Sequence, residues 1–450
     1  QEMSFVSSNR WRIIALLMGY AALGHFNRVG ITVAGAELFI PKYEISPSDM
    51  GWVYTALLIA YTLAMLPGGW LIDRIGSGRA LAIFGVTMGT FAMLTGVAGW
   101  YTESPYTLLI CLLVVRSLAG LCNAPLHPGA AHVVSGEMAP NRRATANGMV
   151  TAGAVIGISC CYPVFGWLMD TLGWQWAFIV GGSALVAYGL LWWLLAVPQL
   201  PRPQRPTKQS ATSPETGSVP TAWSTLGDTT LWLLTFSYAG YGYFQYLFFY
   251  WMNYYFTKVL EVSNEDSRWA TFWVVLAMGA GMAIGGRCTD VLCNWLGTIN
   301  GRRAIVITGM GLGAVFGILG VNVTEMGLGE VFETIGVNVP DLVYVALCLA
   351  IAMAAVGMCE GVFWTTATDI GGKSGGRSGG LAGAFMNTGG NIGGLIAPIL
   401  TPFLAKEIGW TGAIAVACII SGIGGLTWLL IRPPVADSEV QAKTAPDGDR

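Results

Sequence analysis

RSLAGLCNAPLHPGAAHVVSGEMAPNRRATAN, from Arg116 to Asn147, opens with an arginine inside an apolar run. The residues just before it, Leu108 to Val115, carry no charge. An arginine in hydrocarbon is costly, and such residues face a bundle interior or a wet cavity. On a helix, Arg116, Gly120, Asn123 and His127 fall at i, i+4, i+7 and i+11, which is one face. That face offers a fixed positive charge, a small residue that something can approach, an amide and an imidazole. Pro125 and Pro128 predict a kink at the same place. The expectation is a bent membrane helix with an anion site on its polar face.

The rest of the chain agrees with a membrane setting. Of 450 residues, 54% are hydrophobic and only 11% are charged, against about 25% charged in soluble domains. The 61 glycines suit helices that pack through small residues. A net charge of −2 gives no reason to expect a nucleic-acid partner. The nine cysteines show neither framework nor metal-ligand spacing, and Cys111, Cys160, Cys161 and Cys418 read as buried, reduced small residues. No nucleophile–base pair and no cofactor motif stands out, so neither an enzyme nor a bound cofactor or metal is expected. No cleavable signal peptide is expected either.

Apolar segments of spanning length, about 20 residues, run over 11–40, 50–72, 80–100, 106–134, 144–169 and 174–197. A Pro/Ser/Thr-rich stretch over 198–228 reads as a flexible linker. Six more spans cover 229–256, 269–291, 304–321, 341–368, 378–405 and 410–431, before a polar tail over 432–450. With the termini and even-numbered loops on one side, that side holds 17 of the 23 basic residues. The other side holds Lys42, Lys258, Arg268 and Lys406, while Arg28 and Arg116 lie within spans. The positive-inside rule then places both termini and the linker in the cytoplasm of a multi-pass cell-membrane protein.

An internal repeat organises the spans. Gly120-Leu121-Cys122-Asn123 matches Gly357-Met358-Cys359-Glu360 at an offset of 237, and Gly153 and Gly157 match Gly390 and Gly394 at the same offset. Gly173-Trp174 matches Gly409-Trp410 at an offset of 236. Each half is thus a six-span unit: residues 1–197 form one bundle and 229–431 the other, related as parallel repeats. That is the all-α, twelve-helix arrangement of the major facilitator fold, with a site expected between the halves near the midplane.

Several polar groups stand out against the apolar background. GGWLIDRIGSGRA, 68–80, places Asp73, Arg74 and Arg79 in a loop where the acid can latch the cytoplasmic side in one state, and a looser echo over 285–304 contains Asp290. The bland alternative is an ordinary charged loop. Arg116 is the leading substrate contact, since a guanidinium meets a carboxylate with two parallel donors; the alternative is a structural arginine satisfied by carbonyls. Arg28, with His25 and Asn27, lies midway along the first span and either faces the same cavity or holds one end closed. Glu360 is the only acid well inside an apolar span, apart from Asp369 near a span end. It is a candidate proton carrier or a partner for an arginine. Tyr238, Tyr241 and Gln245 share one face of the seventh span, where phenol and amide groups suit a polyol chain. Asn387 and Asn391 form an amide pair that binds substrate or stitches helices.

These residues resemble the anion:cation symporter family of the major facilitator superfamily. The resemblance rests on the pattern R-x-x-x-G-x-x-x-A-P-x-x-P-G over 116–129, the following Asn141-Arg142-Arg143 loop, and FMNTGGNIGGLIAPIL over 385–400. It implies a secondary transporter moving an organic anion, such as a sugar acid, with H+ or Na+. Arg116 would anchor the carboxylate, and Asn123, Gln245 and Asn391 would contact hydroxyls, with Tyr241, Asn387, Arg28 and His127 nearby. The chain departs from the family where Asn27 and Asn123 stand in place of acids. An amide does not exchange a proton in the physiological range. Coupling would then pass to Glu360, to sodium, or to the imidazoles of His25 and His127, or the protein is a uniporter or exchanger. Losing two acids also leaves the site more positive, which favours a dicarboxylate. An organic phosphate/inorganic phosphate antiporter is the alternative, and a ligand sensor without transport is a third. Each chain contains both halves of the fold, so a monomer is expected.

Overall fold

The computed structural model describes residues 2–102, 104–200, 227–324, 326, 340–372 and 379–431. The linker expected over 198–228 and the tail over 432–450 lie largely or wholly outside these residues.

Among the described residues the chain is helical, with no strand. Helix α1 (Glu2–Ala34) runs on into a π-helical turn, Gly35–Phe39. Then come α2 (Pro47–Ile75), α3 (Ser77–Tyr101), the short pair α4 (Pro105–Asn123) and α5 (Leu126–Glu137), α6 (Pro140–Leu172) and α7 (Trp174–Leu195). In the second half, α8 (Thr229–Tyr254) also ends in a π turn, Tyr255–Val259. It is followed by α9 (Asn264–Leu296), α10 (Thr298–Asn322), the short pair α11 (Asp341–Gly357) and α12 (Glu360–Gly372), and α13 (Gly379–Leu426).

Among the described residues, eight helical stretches are long and apolar enough to cross a membrane, and the bent α2 makes nine. One of these covers 48 residues, about 72 Å at 1.5 Å per residue, and it is divided at Gly409, whose φ of 74 is non-helical. It therefore holds two spans. With α1 and α8, whose polar residues lower their hydropathy, the count reaches the expected twelve. Large apolar side chains such as Leu63, Trp70, Tyr101, Trp167, Trp295 and Leu430 are exposed, as a lipid-facing surface requires.

The repeat read from the sequence is visible in the turns. Gly76 and Gly297 close the α2–α3 and α9–α10 turns with φ of 88 and 80. Gly173 and Gly409 close the α6–α7 turn and the α13 break with φ of 87 and 74. Only glycine adopts that region without strain. The two halves also open alike. Each π turn leads to a glutamate at positive φ, Glu44 at 56 and Glu261 at 54. A serine N-cap then starts the next helix, Ser46 accepting from the Asp49 N–H and Ser263 from the Asp266 N–H, each at 3.1 Å.

The structure forms two compact units that do not follow the halves. The first takes the described residues of Gln1–Pro214 together with Leu247–Leu276 and Leu395–Trp410. The second takes those of Glu215–Tyr246, Ala277–Gly394 and Thr411–Arg450. Within the first unit, α1 packs on α6, α3 on α7 and α2 on α4. The two second-half segments are fastened there by hydrogen bonds. Thr55 donates to the Leu395 carbonyl (3.1 Å), and Tyr162 donates to the Phe249 carbonyl (2.6 Å). Trp251 bridges the two segments by donating to the Pro398 carbonyl (3.2 Å). In the second unit, α10 packs on α11.

Candidate functional site

In the first unit the polar groups gather where α1, α4 and α5 meet. Arg116 on α4 is 2% exposed. Its Nη2 donates to the Arg28 carbonyl (2.5 Å) and its Nη1 to the Asn27 carbonyl at a longer 3.4 Å. Its Nε is buried without a partner, and among the described residues no acid pairs with it. The guanidinium is thus held against α1 by backbone dipoles while its charge stays uncompensated by any carboxylate.

Asn27 turns the other way. Its amide donates to the carbonyls of Leu23 and Gly181, both at 3.0 Å, so it stitches α1 to α7. Asn123 ends α4 and is 2% exposed, with its Oδ1 lacking a partner. The helix breaks here because Pro125 has no N–H to continue the ladder. The predicted kink is a break at Ala124–Pro125, and α5 restarts at Leu126. That break carries His127 to His25. Their Nε2 atoms are 3.4 Å apart, and His25 Nδ1 lies 2.9 Å from the Ala21 carbonyl. A carbonyl only accepts, so His25 donates from Nδ1 and receives from His127 at Nε2. The Arg28 guanidinium lies 5.5 Å from the centre of the Tyr61 ring. The unit therefore presents arginines, imidazoles and amides around these positions.

The second unit holds the opposite charge. Glu360 is the first residue of α12, just after the break that separates it from α11. The half-buried carboxylate accepts from the Tyr238 hydroxyl, at 3.0 Å to Oε1 and 3.2 Å to Oε2. Trp364, one turn along α12, donates its Nε1–H to Oε1 at 2.8 Å. Tyr241 stacks on Tyr238 with ring centres 5.2 Å apart, and both pack on Phe363. Gln245 lies farther along α8, half-buried, and Asn387 and Asn391 are half-buried one turn apart on α13.

Asp73, Arg74, Arg79 and Asp290 are exposed. Arg74 lies over the Trp70 ring, 5.0 Å from its centre. Among the described residues neither Asp73 nor Asp290 forms an ion pair.

One charged cluster was not expected. Arg268, assigned from the sequence to an external loop, is 4% exposed in the first turns of α9. Its Nε and Nη2 donate to Glu37 at 3.0 and 2.5 Å. Its Nη2 also reaches Asp170 Oδ1 at 3.0 Å, and its Nη1 binds Asp170 Oδ2. Asn253 adds a bond to Glu37 at 3.2 Å. Glu37 is 8% exposed and sits in the π turn that ends α1, so Glu360 and Asp369 are not the only acids inside the expected spans. The signal was available, since Glu37 falls inside the span expected over 11–40, but its nearness to the span end disguised it.

Comparison with known proteins agrees with this architecture. The family model described as Major Facilitator Superfamily matches residues 3–373 and 288–447. A "probable galactarate/D-glucarate transporter" of Bacillus subtilis is 30% identical over 188 residues, covering 41% of this chain and 40% of that protein. A D-galactonate transporter of Escherichia coli is 31% identical over 193 residues, 42% of each. The hexuronate transporter of Escherichia coli is 26% identical over 190 residues, 42% of each. The matched segments thus span about two-fifths of these relatives' length. Among solved structures, a bacterial homolog of the human lysosomal transporter Spinster superposes with a TM-score of 0.70 at 15% identity, covering 94% of this chain and 97% of that one. That likeness concerns the fold. Helix count, repeat and family model agree, and the chain belongs to the Major Facilitator Superfamily.

Proposed function

We propose that the protein is a secondary transporter that moves a sugar acid or related carboxylate across the cell membrane by alternating access, in symport with H+ or Na+. The observation that carries this reading is Arg116, a buried guanidinium with no acid paired to it among the described residues and its Nε unpartnered. A buried charge asks for a counter-charge, and a carboxylate matches its planar fork. Asn123, with a free Oδ1, accepts from a hydroxyl. Arg28, whose backbone carbonyl accepts from Arg116, adds a second positive charge, which suits a diacid better than a monoacid. The names carried by the similar proteins, galactarate/D-glucarate, D-galactonate and hexuronate transporters, point to the same substrate class. The basic residues expected on one side of the membrane support cytoplasmic termini.

The test is ligand-induced thermal stabilisation of the purified chain, since a ligand that binds the folded state raises the melting temperature. D-Glucarate, galactonate, their neutral sugars and a sugar phosphate form the panel. Glucarate is expected to shift melting most. Arg116→Ala is expected to weaken its binding at least about 30-fold, the loss of one partner from a buried charge pair being about 2 kcal/mol or more. A shift by sugar phosphates alone would support the phosphate antiporter instead. A shift by neutral sugars alone would make Arg116 structural.

A further inference from the structure

Position 123 and position 360 are equivalent in the internal repeat, yet one is an amide and the other an acid. Both follow the same Gly-x-Cys tripeptide and both stand at the break of a two-piece span. In the first unit this position adds no charge. In the second, Glu360 places one carboxylate where α8, α11 and α12 come together.

What surrounds that carboxylate is unusual. Its hydrogen-bond partners are the Tyr238 hydroxyl from α8 and the Trp364 indole from its own helix. The titratable groups facing it are Tyr238 and Tyr241 of α8 and Cys359, its neighbour in the chain. Among the described residues no ion pair involves it. Arg302 of α10 pairs at 2.7 Å with Asp369, nine residues farther along α12, which is about 13 Å by helical rise. On α13, Gly390 lies against the Tyr238 ring and brings no charge.

We infer that Glu360 is the residue on which the transported proton rides, and that the coupling ion is H+ and not Na+. The inference rests on the transport reading above and names its coupling site. One feature separates the ions. The indole and phenol point hydrogens at the carboxylate, so the positive ends of their dipoles occupy the directions from which a metal cation would be coordinated. A proton needs no shell of oxygens.

The step balances simply. A proton from the aqueous phase forms an O–H bond on a Glu360 oxygen, and the same bond breaks to return it on the other side. The new O–H needs an acceptor. The Tyr241 hydroxyl, buried beside Glu360, can accept as well as donate and supplies one. Protonation also removes the charge that holds both donors. The carboxylate ties α8 to α12 through Tyr238, so the tie is firm when Glu360 is ionised and slack when it is neutral. Proton binding thereby changes how freely α8 moves against α12 within its own unit. Tyr238 and Trp364 are positioning residues in this scheme.

The experiment uses the full chain in two settings. In liposomes, radiolabelled D-glucarate uptake is driven by an alkaline interior, by an inward sodium gradient, or by unlabelled glucarate inside. The wild type is expected to accumulate glucarate with the proton gradient and not with sodium. Glu360→Gln is expected to lose accumulation at least tenfold while retaining more than a third of the exchange rate, and Glu360→Asp to recover accumulation with a displaced pH profile. In detergent, pH-difference infrared spectra are expected to show a carboxylic C=O band that Glu360→Gln removes and Glu360→Asp moves. Proton-driven accumulation or an unchanged band in Glu360→Gln would overturn the inference, as would sodium-driven uptake in the wild type. If glucarate is not exchanged by the wild type but the band behaves as stated, the proton site stands and the sugar-acid reading fails.

Discussion

Glu37 in the first unit and Glu360 in the second are both carboxylates set among apolar helices, and their partners differ in charge. Glu37 receives two bonds from the Arg268 guanidinium and one from Asn253. Glu360 receives its bonds from neutral donors, a phenol and an indole. Neutralising Glu37 would strand a buried guanidinium, which is costly. Neutralising Glu360 strands nothing, because phenol and indole remain uncharged and acceptable neighbours. A buried acid beside a cation builds structure; a half-buried acid among neutral donors is free to change state. The same fold contains one of each.

Arg268→Ala breaks the comparison most severely. Removing one partner of a buried pair costs about 3–5 kcal/mol because the other charge is left alone. The expected result is a large fall in melting temperature, with Glu37→Gln in the Arg268→Ala background recovering part of it. Asp170 adds less, because its side chain is 60% exposed and exposed ion pairs are worth about 0–1 kcal/mol. Glu360→Gln, by contrast, is expected to melt within about 1 kcal/mol of the wild type, since an amide oxygen still accepts from both donors. Equal losses for Arg268→Ala and Glu360→Gln would remove the distinction between the two carboxylates.

The sequence made much of the second carboxylate legible and little of the first. Glu360 stands in a run whose neighbours are apolar, and its repeat partner Asn123 is fixed by flanking glycines and cysteines, so its position could be read directly. The turn glycines 173 and 409 likewise announced the repeat, because a positive φ leaves a residue-specific mark. Glu37 and Arg268 are 231 residues apart, and nothing periodic links them. Each sits near a span end, where charge is ordinary, and only the packing of Leu247–Leu276 within the first unit brings them together. Arg116 illustrates a different limit. Its intramembrane place was visible, but its bonds go to backbone carbonyls of Asn27 and Arg28, and every residue has a carbonyl. Asn27 stands where the resembling family has a coupling acid, and its amide points to Gly181 on α7, an orientation that spacing does not reveal.

A pair of repeat-equivalent glycines sharpens the contrast at intermediate cost. A methyl group on Gly153 would strike the Met18 carbonyl oxygen, backbone that has little room to yield. A methyl group on Gly390 would meet the Tyr238 ring edge at 2.6 Å, a side chain that can be pushed aside where backbone cannot. Overpacking costs about 1–3 kcal/mol. Gly153→Ala is expected near the upper end and Gly390→Ala near the lower, read by melting temperature. The order should invert in transport, because a displaced Tyr238 side chain takes its hydroxyl from Glu360, and proton-driven accumulation should fall more in Gly390→Ala. If Gly390→Ala accumulates like the wild type, the Tyr238 bond does not govern the carboxylate.

The smallest effect is the most discriminating. Trp364→Phe keeps the ring and removes the N–H that Glu360 accepts at 2.8 Å, a loss of about 0.5–1.5 kcal/mol for a partly exposed bond. A donor to a carboxylate favours its ionised form, so this contribution is present where Glu360 is ionised and fades as pH falls and the acid takes up its proton. The deficit of Trp364→Phe in melting temperature should therefore shrink toward acid pH and be smaller again in a Glu360→Gln background. A Trp364→Phe deficit that is flat with pH would mean that Glu360 keeps one protonation state throughout, and a residue that does not change state cannot carry the proton.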